Sequence, residues 1–156
     1  MLKPEIIPLN GHIHITVYKK NALGMEYIDE EKHIKNLVVN VGKDSILKYI
    51  SNISGGGFAN GIGVGDSTQA AAATDTYLIA VTNKVWKTIL AADKVYLRPT
   101  AFLSGDFGYS EANFTCNELG IRDSQGTPLL WARQVDATPL IKDSTKRAIV
   151  EWQISL

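Results

Sequence analysis

Alternation of apolar and polar residues with a period of two most constrains what this chain can fold into, because a strand sends successive side chains to opposite faces and a helix does not. The pattern is cleanest over residues 147–156. There Ala148, Val150, Trp152, Ile154 and Leu156 share one face, and Arg147, Glu151, Gln153 and Ser155 lie opposite, with Ile149 the exception. Residues 12–18 repeat it, setting Ile13, Ile15 and Val17 against His12, His14, Thr16 and Tyr18. Both segments read as half-buried strands. Further β-prone runs cover residues 37–41, 61–64, 81–90, 95–103, 113–122 and 129–135, and Pro99 marks an edge position or a bulge in its run. Asp123-Ser124-Gln125-Gly126 separates two of these runs and predicts a hairpin. Only residues 43–51 carry a helical spacing, with Ile46, Leu47 and Ile50 on one face. Six to eight short strands with frequent turn signals predict an all-β fold, a β-sandwich or jelly-roll-like domain with one short helix.

At 156 residues the chain fits one domain with an attached arm. Residues 1–11, with prolines at Pro4 and Pro8, read as an extended N-terminal arm whose apolar contacts are Leu2, Ile6, Ile7 and Leu9. Residues 12–35 read as a strand and a charged, exposed connection, and residues 36–156 as the sandwich domain. Sixteen Lys plus Arg balance sixteen Asp plus Glu, which argues against a nucleic-acid partner because neutralising several phosphates needs a basic excess or stripe. The charged, proline-bearing start does not resemble an export signal, and the uncharged stretch 51–65 is rich in Gly, Asn and Ser rather than in Leu and Val, so no membrane partner is expected. A lone cysteine, Cys116, excludes an internal disulfide.

Each chemical motif has a plainer reading. Gly61-x-Gly63-x-Gly65 invites a phosphate loop, but a dinucleotide fingerprint needs a further glycine three residues on and a helix directly behind it, where this chain has an alanine-rich loop. His12 and His14 stand two apart on one strand face, with His33 as a third imidazole; solvated or partner-facing histidines are the ordinary case, and no metal is expected. Glu111, Glu118, Asp123 and Asp136 lie near strand ends without a spacing that pairs them as acid and base. Cys116 reads as a buried, inert thiol. Ser67 and Ser110 lack a nucleophile elbow. Of the three tryptophans, Trp152 belongs to the core stripe, while Trp131 is the candidate for contact with a glycan or a partner. No catalytic residue, cofactor or enzymatic activity is expected.

The segment from Asn117 to Val135, NELGIRDSQGTPLLWARQV, followed by a spacer containing Lys142 and the strand Ile149-Val150-Glu151-Trp152-Gln153-Ile154, resembles small virion proteins of tailed bacteriophages. Those proteins carry in order an Asn-Glu-apolar-Gly-Ile strand, an Asp-x-x-Gly turn, a Leu-Leu-x-Ala-Arg strand and a closing strand with Trp. Upstream, Ile62-Gly63-Val64-Gly65-Asp66-Ser67-Thr68 through Ala73-Thr74-Asp75-Thr76-Tyr77-Leu78, and Val39-Asn40-Val41-Gly42 before them, are similar to the same group. The resemblance covers roughly residues 36–156; the proline-bearing N-terminus and the connection at residues 135–144 depart from it. It implies a virion component. In the head decoration (cement) version, the protein sits on the capsid exterior after assembly in the host cytoplasm. It associates as a homotrimer and stabilises the shell by bridging subunits of the major capsid protein, with the arm docked on the shell. The other version is a tail- or fibre-associated module that recognises a host-surface glycan through Trp131 or the Gly-rich loop.

Overall fold

The computed structural model describes residues 10–124 and 128–155. They form an all-β sandwich with one short helix. Sheet A is built from β1 (Asn10–Lys20), β2 (Glu26–Lys35), β6 (Lys94–Leu97), β7 (Thr100–Phe107) and β10 (Lys146–Ser155), in the order β2-β1-β10-β7-β6. Sheet B is built from β3 (Leu37–Val38), β4 (Ala59–Gly65), β5 (Lys84–Thr88), β8 (Thr115–Asp123) and β9 (Leu130–Ile141), in the order β3-β9-β8-β4-β5. All strand pairs described are antiparallel. The helix α1 (Asn40–Ile50) packs on β9.

The two alternating segments found in the sequence are neighbours. β1 pairs with β10 in register from Asn10–Ser155 to Lys19–Lys146, and Ile13, Ile15, Val17, Ala148, Val150 and Trp152 are buried together. They meet Ile62, Val64, Leu119, Ile121 and Ala132 of sheet B in a single core. Burial of this kind is worth about 25 cal/mol per Å² of apolar surface, so these alternating faces supply the main force that holds the sheets together. The expected hairpin is β8 with β9; Gln125, Gly126 and Thr127 of its turn lie outside the described residues. Between β1 and β2, Gly24 adopts a positive φ of 79° and the Asn21 side chain accepts from the Leu23 and Met25 amides, which fixes that turn.

Four expectations need correction. Residues 12–35, set apart from the sandwich in the sequence, supply two of the five strands of sheet A. β2 is hidden by its charge, which is the composition of an edge strand. Residues 95–103 are two strands, because the chain turns at Arg98-Pro99, a cis peptide bond, and β6 folds back on β7. The connection at 135–144 is largely strand: β9 continues to Ile141, with an irregularity in the ladder opposite Asn117 that accommodates Pro139. The helix starts at Asn40, cutting short the run expected at 37–41, and turns its apolar stripe outward. Leu47 is 62% and Ile50 74% exposed, while Gly42 and Ser45 are buried. Small residues win that face because Gly42 lies directly on the Trp131 backbone and the Ser45 hydroxyl donates to Asp123 Oδ2 at 2.7 Å.

Candidate functional site

Part of the segments that carry the sequence resemblance meets on the outer face of sheet B, while residues 149–154 lie in β10 of sheet A and Ile62, Val64, Leu119, Ile121 and Ala132 face the core. Gly61, Gly63 and Gly65 of β4 point the same way, so this face of the strand has no side chains. A strap formed by residues 66–83 lies across it. A Cβ on Gly63 would stand 2.7 Å from the Trp86 ring and 2.8 Å from Leu78 Cδ1, and one on Gly120 of β8 would stand 2.6 Å from Leu78 Cδ2. Leu78 thereby joins Val39 and Leu130 in a second small core, with Val41 and Trp86 against it. Gly63 and Gly65 thus serve close packing of the strap and of Trp86.

A buried ion cluster fastens the strap. Glu118 on β8 and Arg133 on β9 are both fully buried and joined through Arg133 Nε and Glu118 Oε1. Glu118 accepts from the backbone N–H groups of Ile79 at 2.6 Å and Ala80 at 3.0 Å. Arg133 donates through Nη1 to Asp75 Oδ2 at 2.9 Å and the Ala70 carbonyl at 3.2 Å, and through Nη2 to the Gln69 carbonyl at 2.8 Å. Asp75 in turn accepts from the Ala72 amide. The guanidinium fork and the carboxylate thus spend their bonding capacity on the strap, which is how a buried pair offsets its loss of hydration. The strap's two ends are tied to each other by Asn83 Nδ2, which donates to Asp66 Oδ2 at 2.8 Å, and Lys84 Nζ donates to the carbonyl of Leu78 within it at 3.1 Å.

Sequence reasoning finds Glu118 as an acid–base candidate and misses Arg133. The signal in the sequence is that Glu118 and Arg133 each interrupt an apolar strand; that Arg133 stands opposite Gly120, next to Glu118 on the same face, appears only in the ladder. The other carboxylates have separate partners. Asp123 accepts from Ser45 and from the Leu129 amide. Glu111 accepts from Lys87 Nζ and the Gly108 amide, which together hold its carboxyl below the usual range. Asp136 lies 3.6 Å from Lys32 Nζ and accepts from Thr138. A second buried cation, Lys142, donates to the carbonyls of Gly108 and Glu111 and to Asn113 Oδ1, and burial pulls its pKa down.

His14 and His33 face each other across β1 and β2 as stacked rings, centroids 4.3 Å apart and 6° from parallel. Parallel rings send their nitrogen lone pairs in parallel planes, so the pair is not a chelate. His12 lies opposite Lys35, and among the described residues no group of three or more His, Cys, Asp or Glu could hold a metal ion. Trp131 is half-buried beside α1, where it lines an apolar groove with Ile46, Phe58, Ala101 and Ile154. Leu2, Ile6, Ile7 and Leu9 lie outside the described residues.

Cys116 is buried beside Leu140, and burial raises its thiol to about 12. A thiol-specific reagent at neutral pH is expected to leave the folded chain unmodified and to label one thiol after denaturation; rapid labelling of the folded chain would contradict the packing. Because the unfolded thiol ionises near 9 and the folded one only near 12, its contribution to stability is present below pH 9 and lost as pH rises through that interval.

Compared with protein-family models, with curated proteins and with solved structures, the chain matches none.

Proposed function

We propose that the chain is a structural protein of a tailed-bacteriophage virion, a head decoration protein that binds major capsid subunits on the shell exterior and bridges them. One observation carries this reading. Within the segments that resemble the virion proteins, Gly63, Asp75, Leu78, Glu118, Gly120 and Arg133 are used inside the fold to hold a strap on a sheet, and Val150 and Trp152 are used in the core. What remains outside is contact surface: exposed Leu47, Ile50, Ile53 and Phe58 around α1, and exposed Val95, Tyr96 and Leu97 on β6. Exposed apolar groups gathered in this way serve association. Zero net charge adds little long-range repulsion between closely spaced copies.

Heads prepared without the protein are expected to release their DNA at a lower temperature than the same heads after addition of the purified full chain. Heads whose thermal stability is indifferent to added protein would overturn the reading. Saturable binding to isolated tails instead would favour the tail-associated version.

A further inference from the structure

Sheet A ends in β2 on one side and β6 on the other, and the two edges differ in kind. β2 exposes Tyr27 and Ile28 at one end, but over the rest of its length it carries Asp29, Glu30, Glu31, Lys32 and Lys35, the charges that discourage a further strand from pairing. β6 presents Val95 at 46%, Tyr96 at 68% and Leu97 at 64% exposure. On the outer side of the sheet Val95 and Leu97 border a depression floored by Phe102. On the inner side Lys94 and Ala101 lie at the groove of Phe58, Trp131 and Ile154. A strand added to β6 would find the apolar groove on its inner face and, on its outer face, a depression where Val95, Leu97 and Phe102 are rimmed by Asp93, Ser104 and Glu151.

The sequence contains a segment of the complementary kind. Residues 1–9 hold Leu2, Ile6, Ile7 and Leu9, and Pro4 and Pro8 have the same parity. In an extended chain, residues of one parity direct their N–H and C=O groups to one side, so both missing donors fall on a single edge. The other edge, formed by Lys3, Glu5, Ile7 and Leu9, keeps every donor. Such a segment can pair on one side and ends the sheet on the other.

Reach decides whose β6 it meets. Asn10, Ser155, Thr100 and Leu97 lie on one rung of sheet A, so β6 stands three strand spacings from the start of β1, about 14 Å. Nine extended residues span about 30 Å, which leaves about five for pairing after that crossing. Within one chain, Ile6, Ile7 and Leu9 would be spent over the strand ends. On a neighbouring copy they all reach the edge.

We propose that β6 is the docking edge for residues 1–9 of a second copy of this chain, added as a further strand of sheet A. The arm and the edge are different surfaces, so the exchange closes as a reciprocal dimer, closes into a larger ring such as a trimer, or runs on as a filament. The proposal rests on the decoration reading and refines it, since the arm's apolar residues contact a neighbouring copy and the sandwich itself meets the shell.

The test uses the full chain without particles. Two singly substituted chains, Ile7→Cys and Tyr96→Cys, are coexpressed and oxidised, and the cross-linked peptides are mapped by mass spectrometry; the native Cys116 is buried and stays silent. Disulfide-linked dimers joining position 7 to position 96 are expected, and none joining position 7 to position 28 when Ile28→Cys on β2 replaces the β6 variant. Absence of the 7–96 link, an equal yield with Ile28→Cys, or links only between two copies of position 96 would each overturn the proposal. Since no capsid is present, failure here leaves the head-stability experiment as an independent test of the decoration reading.

Discussion

Arg133→Ala is expected to destabilise the chain by about 3–5 kcal/mol, because it leaves the Glu118 carboxylate fully buried without its counter-charge. The loss is also local. Arg133 is the donor to Asp75 and to the carbonyls of Gln69 and Ala70, so the strap should open and admit proteases within residues 66–83. Glu118→Gln is expected to cost less: its amide oxygen still accepts from Ile79 or Ala80, and Arg133 keeps Asp75 as a charged partner. Denaturant unfolding measures the first effect and limited proteolysis the second. An Arg133→Ala chain with an unchanged midpoint and an intact strap would show that the cluster does not hold the fold.

Gly63→Val sets two physical effects against each other. Glycine inside a strand usually costs about 0.5–1 kcal/mol relative to alanine, so backbone propensity alone predicts that valine stabilises β4. The strap predicts the opposite sign. A Cβ at Gly63 lies within 2.8 Å of both Trp86 and Leu78, and the two methyls of valine deepen the overlap, a destabilisation of about 1–3 kcal/mol. Leu78→Ala in the same chain removes one of the two obstacles and should recover part of that loss, although it leaves a void in the small core of Val39 and Leu130. The discriminating quantity is the coupling between the two substitutions from a double-mutant cycle in denaturant. Additive effects, or a stabilising Gly63→Val, would mean that Leu78 does not rest on the glycine face.

The parts of the fold legible in the sequence are those in which local pattern and tertiary environment agree. β1 and β10 alternate because one face of each is buried, and the β8–β9 hairpin is announced by strand residues on both sides of a turn sequence. β2 is hard to see in the sequence because an edge strand exposes most of its side chains and needs charge more than alternation. The α1 stripe of Ile46, Leu47 and Ile50 has the spacing of a buried face, yet Gly42 and Ser45 take that place. Close approach to the Trp131 backbone and a bond to Asp123 are long-range demands that helical periodicity does not encode. The strap has no periodicity at all. Its position depends on Glu118 and Arg133, roughly 40 to 60 residues further along the chain, and on glycines whose value lies in the side chains they lack. The candidate-site residues that suggest chemistry, Glu118 among them, are conspicuous for being polar within apolar strands. The partner that spacing along the chain conceals, Arg133, stands opposite Gly120 and reaches Glu118 diagonally across the ladder.

The proposed role gives both sheets of the sandwich a purpose: one is closed by its own strap, and the other ends in an apolar edge suited to a neighbouring copy. Electron microscopy of the intact particle tests the central claim most directly, by placing the sandwich in the density map. Density for the domain is expected on the exterior of the head, repeated over the shell and seated between major capsid subunits. Density confined to the tail or its fibres, with none on the head, would contradict the decoration role.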